Sequence, residues 1–105
     1  MVERFKKLFG LGSKVNYLEL VQNGAIIVDV RSKAEYSAGH IKDSINIPVD
    51  TLSNNPYQLK DKNQPVITCC ASGMRSARAK NILKSNGYTI IYNGGGWSSL
   101  RNKIS

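Results

Sequence analysis

Residues 68–76 read TCCASGMRS, where two adjacent cysteines precede a short loop of small residues closed by Arg75 and Ser76. The run PVITCC (65–70) that leads into it is apolar and of strand type. The segment SARAKNILKSNG (76–87) that follows repeats Ala79, Ile82 and Leu83 at helical spacing, with Ser76 as its candidate cap. A cysteine at such a junction faces the unpaired N–H groups and partial positive charge of a helix N-terminus. Both favour its thiolate, and Arg75 adds a cation. Gly73 permits a turn tight enough for successive N–H groups to aim at one centre. The chemistry this suits is a nucleophilic sulfur at the base of an anion cradle. The plainer alternative is an inert buried thiol at a strand end.

Two registers compete for the nucleophile. From Cys69, five residues separate the sulfur from Arg75, the spacing of a tyrosine-phosphatase signature. That signature also wants glycine three places after its cysteine and histidine just before it, and here those positions hold Ser72 and Thr68. Strand alternation places Val66 and Thr68 on one face and Ile67 and Cys69 on the other, so Cys69 reads as the last packed residue of the strand. Cys70 begins the loop and is taken as the nucleophile. Cys69 keeps the phosphatase alternative open.

The elements that must position this loop follow from the rest of the chain. Short β-branched runs recur at AIIVDV (25–30), SINIP (44–48), PVITCC and YTIIYN (88–93). Helical stretches fall between them: NYLELVQNG (16–24) with an Asn16 cap, a short turn over Lys33 to Ala38, another around Thr51 to Leu59, and 76–87. A last helix follows Gly96, with Trp97 and Leu100 inward. Strands alternating with helices imply an α/β domain, a mostly parallel central sheet flanked by helices on both faces. In such a sheet ligands gather beyond the carboxyl ends of the strands, where Cys70 lies. Gly94, Gly95 and Gly96 are expected as a tight strand-to-helix turn beside the cradle, with Trp97 lining or capping it.

Bulk composition bounds the answer. The 105 residues, 41% hydrophobic, suit one domain over 14–105, burying roughly 65% of its unfolded surface, with residues 1–13 as an appendage. Two neighbouring cysteines build no disulfide framework, and they and the single His40 are too few for a zinc site, so neither metal nor cofactor is expected. A net charge of +8 suits nucleic acid, anionic lipid or a small anion, but with 8% aromatic residues and no motif, nucleic acid is not expected. Arg78, Lys80 and Lys84 raise the local anion concentration or form an exposed polar helix face. Met74 stands at the loop rim. The absence of a long apolar run or cleavage site points to a cytoplasmic chain. Val2, Phe5, Leu8 and Phe9 share one face of residues 1–12, a weak candidate for membrane-surface contact.

Three motifs in order carry a resemblance. IIVDVRSKAEYSAGHIKDSINIP (26–48), CASGMRS (70–76) and YNGGGWSSL (92–100) resemble the signatures of single-domain rhodaneses, the thiosulfate sulfurtransferase family, although the last is shortened. The resemblance implies a sulfurtransferase. Cys70 takes the outer sulfur of a donor such as thiosulfate as a persulfide, and a thiol or cyanide removes it. The thiol acceptor is a small molecule or a protein, thioredoxin-like among others. N–H groups of Ala71, Ser72, Gly73, Met74, Arg75 and Ser76 hold the terminal sulfur, and Arg75 pairs with the donor's oxyanion. Asp29 and Arg31 organise the pocket, unless Arg31 pairs with Glu35 one turn on. His40 packs and hydrogen-bonds beneath the loop. The shorter loop from Cys70 separates this reading from phosphatase and arsenate-reductase relatives. Retention of the cysteine separates it from non-catalytic binding modules.

Overall fold

The computed structural model describes residues 15–54 and 59–105. Helix α1 (Tyr17–Gln22) starts at Asn16, whose side chain accepts from the Glu19 N–H, and leads into strand β1 (Ile26–Asp29). Helix α2 (Lys33–Ala38) carries a full capping box, in which Ser32 and Glu35 each bind the other's backbone N–H. Strand β2 (Ile45–Asn46) is followed by a 3₁₀ turn (Val49–Thr51). Strand β3 (Val66–Cys70), helix α3 (Met74–Ser85), strand β4 (Ile91–Gly96) and helix α4 (Trp97–Ile104) complete the order.

The four strands form one sheet, β2-β1-β3-β4, parallel throughout. Parallel strands need covered faces, and both are covered. On one face Val28, Val66 and Cys70 pack with Leu52, Ala79 and Leu83, bringing α3 and the 3₁₀ turn onto the sheet. On the other, Ile27, Ile67 and Cys69 pack with Leu100, Tyr17, Leu20 and Trp97, bringing in α1 and α4. All five residues of β3 are buried. The alternation separates the neighbouring thiols: Cys69 belongs to one core and Cys70 to the other.

Three expectations are corrected. The fourth strand runs over 91–96, so the three glycines are strand and the helix follows with no intervening turn. Tyr88 leaves the sheet because its hydroxyl donates to the Leu59 carbonyl and its ring fills the α3-side core. The glycines are needed for close approach: a Cβ on Gly94 would lie 2.8 Å from Ile67 Cγ2 and 2.9 Å from the Thr68 carbonyl oxygen. Thr68 pairs with Asn93 but Cys70 with Gly96, so β4 carries one extra residue, a bulge in which Gly95 takes φ +77°. The helix after the cysteine loop begins at Met74, two residues before the expected Ser76 cap, with Gly73 at φ +110° as its N-cap. The helix around Thr51–Leu59 is a 3₁₀ turn over Val49–Thr51 as far as Asn54, and residues 55–58 lie outside the described residues. The appendage over residues 1–13 and its apolar face lie outside them too. Among the described residues no helix is long and apolar enough to cross a membrane.

Candidate active site

All strands point the same way, so the loops after β1 and β3 and the β4–α4 junction lie at one edge of the sheet. Cys70 is the last residue of β3 and 1% exposed, and its Sγ sits where the chain turns into α3. The Gly73 N–H donates to Sγ at 2.9 Å and the Ser76 N–H at 3.3 Å. The Ser76 N–H belongs to the first turn of α3, where backbone donors have no carbonyl one turn back. The left-handed Gly73 aims these donors inward, a conformation any Cβ would strain. Burial by itself pushes the Cys70 thiol up. Hydrogen bonds from the Ser76 side chain and from the N–H groups of Ser76, Gly73 and Ser72 outweigh it and hold the thiol below its usual value. Cys69, one residue earlier, is pushed up to about 12 by burial and by the nearby Asp29 charge. Equal chemistry in adjacent positions is thereby split: one sulfur inclines to the thiolate and the other stays protonated.

Ser76 is fully buried and does more than cap a helix. Its Oγ lies 3.5 Å from Cys70 Sγ and within hydrogen-bond reach of the Gly73 carbonyl and of Asn93 Oδ1. Thr68 Oγ1 donates to the Ser76 carbonyl at 2.9 Å and ties the first turn of α3 to β3. Asn93 was not singled out in the sequence, because it reads there as a strand end. Its position just before the glycines at the bulge is the signal that was available. Ala71, Ser72 and Met74 form the exposed rim, with Met74 81% exposed.

Arg75 does not stand free over the sulfur. Its guanidinium grips Glu35 of α2 with two bonds, at 2.8 and 3.0 Å, while Glu35 also accepts from the Ser32 N–H. Glu35 is therefore unavailable to Arg31, and the pairing one turn apart does not form. Arg31 turns to Asp29, with Nε at 2.9 Å from Oδ1 and a terminal nitrogen at 2.7 Å from Oδ2. The same nitrogen donates to the Gly39 carbonyl at 2.7 Å, and the guanidinium lies 4.6 Å from the centre of the Trp97 ring. Trp97 thus covers the buried ion pair. Arg101 stacks on that ring too, at 4.9 Å. His40 is exposed, its ring stacked on Tyr36 at 3.8 Å and its Nδ1 2.7 Å from the Tyr36 carbonyl oxygen. It braces the end of α2 rather than lying beneath the loop.

The Arg75 bond, followed by the Ser32 N–H bond, holds the Glu35 carboxyl down at about 2. A folded value below the unfolded one, about 4.3, means this clamp stabilises the fold above that pH and is lost as pH falls to about 2. Urea midpoints measured down that window are expected to fall, and to fall less steeply in Glu35→Gln. Both groups are solvent-exposed, so added salt should weaken the effect.

The family model of the rhodanese-like domain matches residues 14–103. The thiosulfate sulfurtransferase PspE of Escherichia coli K12 is 37% identical over 74 residues, 70% of this chain and 71% of that protein. A structure described as a rhodanese with anions from E. coli superposes with a TM-score of 0.68 at 34% identity, over 71% of this chain and 89% of that one. The human single-domain sulfurtransferase TSTD1 gives 0.69 at 28% identity, over 82% and 88%. Other curated relatives are longer, and the chain spans only 25% and 16% of the length of two of them. With the matching motifs in order, one parallel sheet and a cysteine-centred loop at its carboxyl edge, the chain belongs to the rhodanese-like domain family.

Proposed function

We propose that this chain is a sulfurtransferase that carries sulfane sulfur on Cys70, from a donor such as thiosulfate to a thiol. The observation that carries the proposal is the convergence of the Gly73 and Ser76 N–H groups on Cys70 Sγ. The thiolate attacks the outer sulfur of the donor. The thiolate's lone pair forms the new S–S bond, and the electron pair of the donor's old S–S bond departs with sulfite. The negative charge then resides on the terminal sulfur of the persulfide, within the first-turn N–H groups of α3. An acceptor thiolate attacks that terminal sulfur and returns Cys70 as its thiolate, so both steps conserve charge. With two nitrogens on Glu35, Arg75 contributes its remaining N–H groups to the donor's oxyanion rather than a free cation. The exposed Met74 and the open rim leave room for a protein acceptor as well as a small thiol.

The test is the intact mass of the chain after brief exposure to thiosulfate. A gain of one sulfur atom, removed by cyanide or by a thiol, is expected. No gain, together with hydrolysis of an aryl phosphate, would replace this reading with the phosphatase one.

A further inference from the structure

Ser76 has one hydroxyl proton and faces more acceptors than it can serve. Its Oγ lies 2.5 Å from Asn93 Oδ1, 3.0 Å from the Gly73 carbonyl oxygen and 3.5 Å from Cys70 Sγ. The Asn93 amide is oriented by the bulge: the Gly95 N–H donates to Oδ1 at 2.9 Å, and Nδ2 turns to the Gly73 carbonyl at 3.5 Å. Of these two oxygens, 2.5 Å apart, only Ser76 Oγ carries a proton to donate. With sulfur protonated, the donors run in one direction, from the Cys70 S–H to Ser76 Oγ and from the Ser76 O–H to Asn93. With sulfur ionised, the first link has lost its proton. Ser76 must then swing its O–H off Asn93 to serve the anion.

We propose that Asn93 is a positioning residue that competes with the Cys70 sulfur for the Ser76 hydroxyl proton. This rests on the reading of Cys70 as the reacting sulfur. Ser76 only rotates its O–H about the Cβ–Oγ bond, and the thiol proton leaves to solvent. When a persulfide forms, the charge moves out to the terminal sulfur and Sγ no longer needs the donor. The Ser76 O–H then returns to Asn93. Asn93 therefore favours the sulfur-loaded state over the empty thiolate, and tempers the reactivity of the resting enzyme.

Among the described residues, ionisable groups flanking the site are Arg75 of α3 with its partner Glu35 from α2, Cys69 on β3, and the Asp29–Arg31 pair at the end of β1. Glu35 at about 2, Cys69 at about 12 and Arg75, raised by its Glu35 bond, keep their charge states near neutrality. The side chain facing Ser76 from β4 is the neutral Asn93.

The experiment follows alkylation of Cys70 by iodoacetamide from about pH 5 to 9, located by peptide mass. It compares the parent chain with Asn93→Ala, Asn93→Asp, Ser76→Ala and the Ser76→Ala, Asn93→Ala double variant. Asn93→Ala frees the hydroxyl and is expected to lower the midpoint by about half to one pH unit. Asn93→Asp keeps the acceptor, adds charge and is expected to raise it. The Asn93→Ala shift should vanish without Ser76. An unchanged or raised midpoint in Asn93→Ala overturns the proposal. So does a shift that survives in the double variant, or one of the same sign in Asn93→Asp, which would mark a merely loosened loop. The midpoint is read without any sulfur donor. A parent chain that takes no sulfur from thiosulfate therefore sinks the sulfurtransferase reading separately.

Discussion

Cys70→Ser is expected to abolish sulfur transfer, a loss of at least about 10³-fold, while leaving the fold intact. A serine hydroxyl is not ionised near neutrality, and its oxygen forms no persulfide. The cradle that tunes the thiolate has nothing to act on. The substitution is nonetheless mild for the fold. The Gly73 and Ser76 N–H groups that donate to Sγ are available to a serine oxygen, so no buried donor is stranded. Cys69→Ser should do the reverse. Cys69 is fully buried against Ile27, Ile67 and Leu100, where a hydroxyl finds an apolar wall and costs about 1–3 kcal/mol. Transfer should stay within a few-fold of the parent chain. Steady-state transfer to cyanide and urea midpoints for both variants give the answer. Activity lost in Cys69→Ser and kept in Cys70→Ser would mean that the loop is read from the wrong sulfur.

The largest expected loss of stability belongs to Asp29. Its carboxylate is fully buried and Arg31 is 4% exposed, and the two make a forked pair to which the Arg31 backbone N–H adds a bond at 3.0 Å. Asp29→Ala strands a buried guanidinium with the Gly39 carbonyl and the Trp97 face as its remaining neighbours. Breaking a buried pair from one side costs about 3–5 kcal/mol, a large part of the 5–15 kcal/mol that holds a domain together. Removing both charges should be less costly. Asp29→Ala combined with Arg31→Met is expected to recover at least about 1 kcal/mol relative to the sum of the single changes. Equilibrium urea denaturation of the four chains measures the coupling. If Asp29→Ala stays within about 1 kcal/mol of the parent, the buried pair does not hold this edge of the fold.

Much of this was legible in the sequence where local rules decide. Asn16 announced its helix because an N-cap bond is made within three residues, whereas Ser32, which makes the same bond ahead of α2, was not picked out. The alternation of PVITC put Cys69 on the Ile67 side, as it is; Cys70, expected to begin the loop, is instead the last strand residue and so packs in the opposite core. What the sequence hid was decided across the sheet. Glu35 is spaced equally well for Arg31 and for nothing, and only the approach of the cysteine loop to α2 delivers Arg75 to it. The glycines read as a turn because nothing local shows that Ile67 and the Thr68 carbonyl leave no space for a Cβ at Gly94. Asn93 looked like the end of a strand, and its importance rests on a bulge and on a serine 17 positions away.

The separation of the two sulfurs also makes the molecule a timer of its own opening. In the native chain an electrophile meets one nucleophilic sulfur, since Cys69 is sealed against α4 and holds its proton up to about 12. Its label is acquired only when the layer between β3 and α4 parts. With Cys70 already alkylated, every further cysteine modification counts one such event. An alkyl cap on Cys70 thus leaves Cys69 as a silent witness to unfolding, one residue away and on the far side of the sheet.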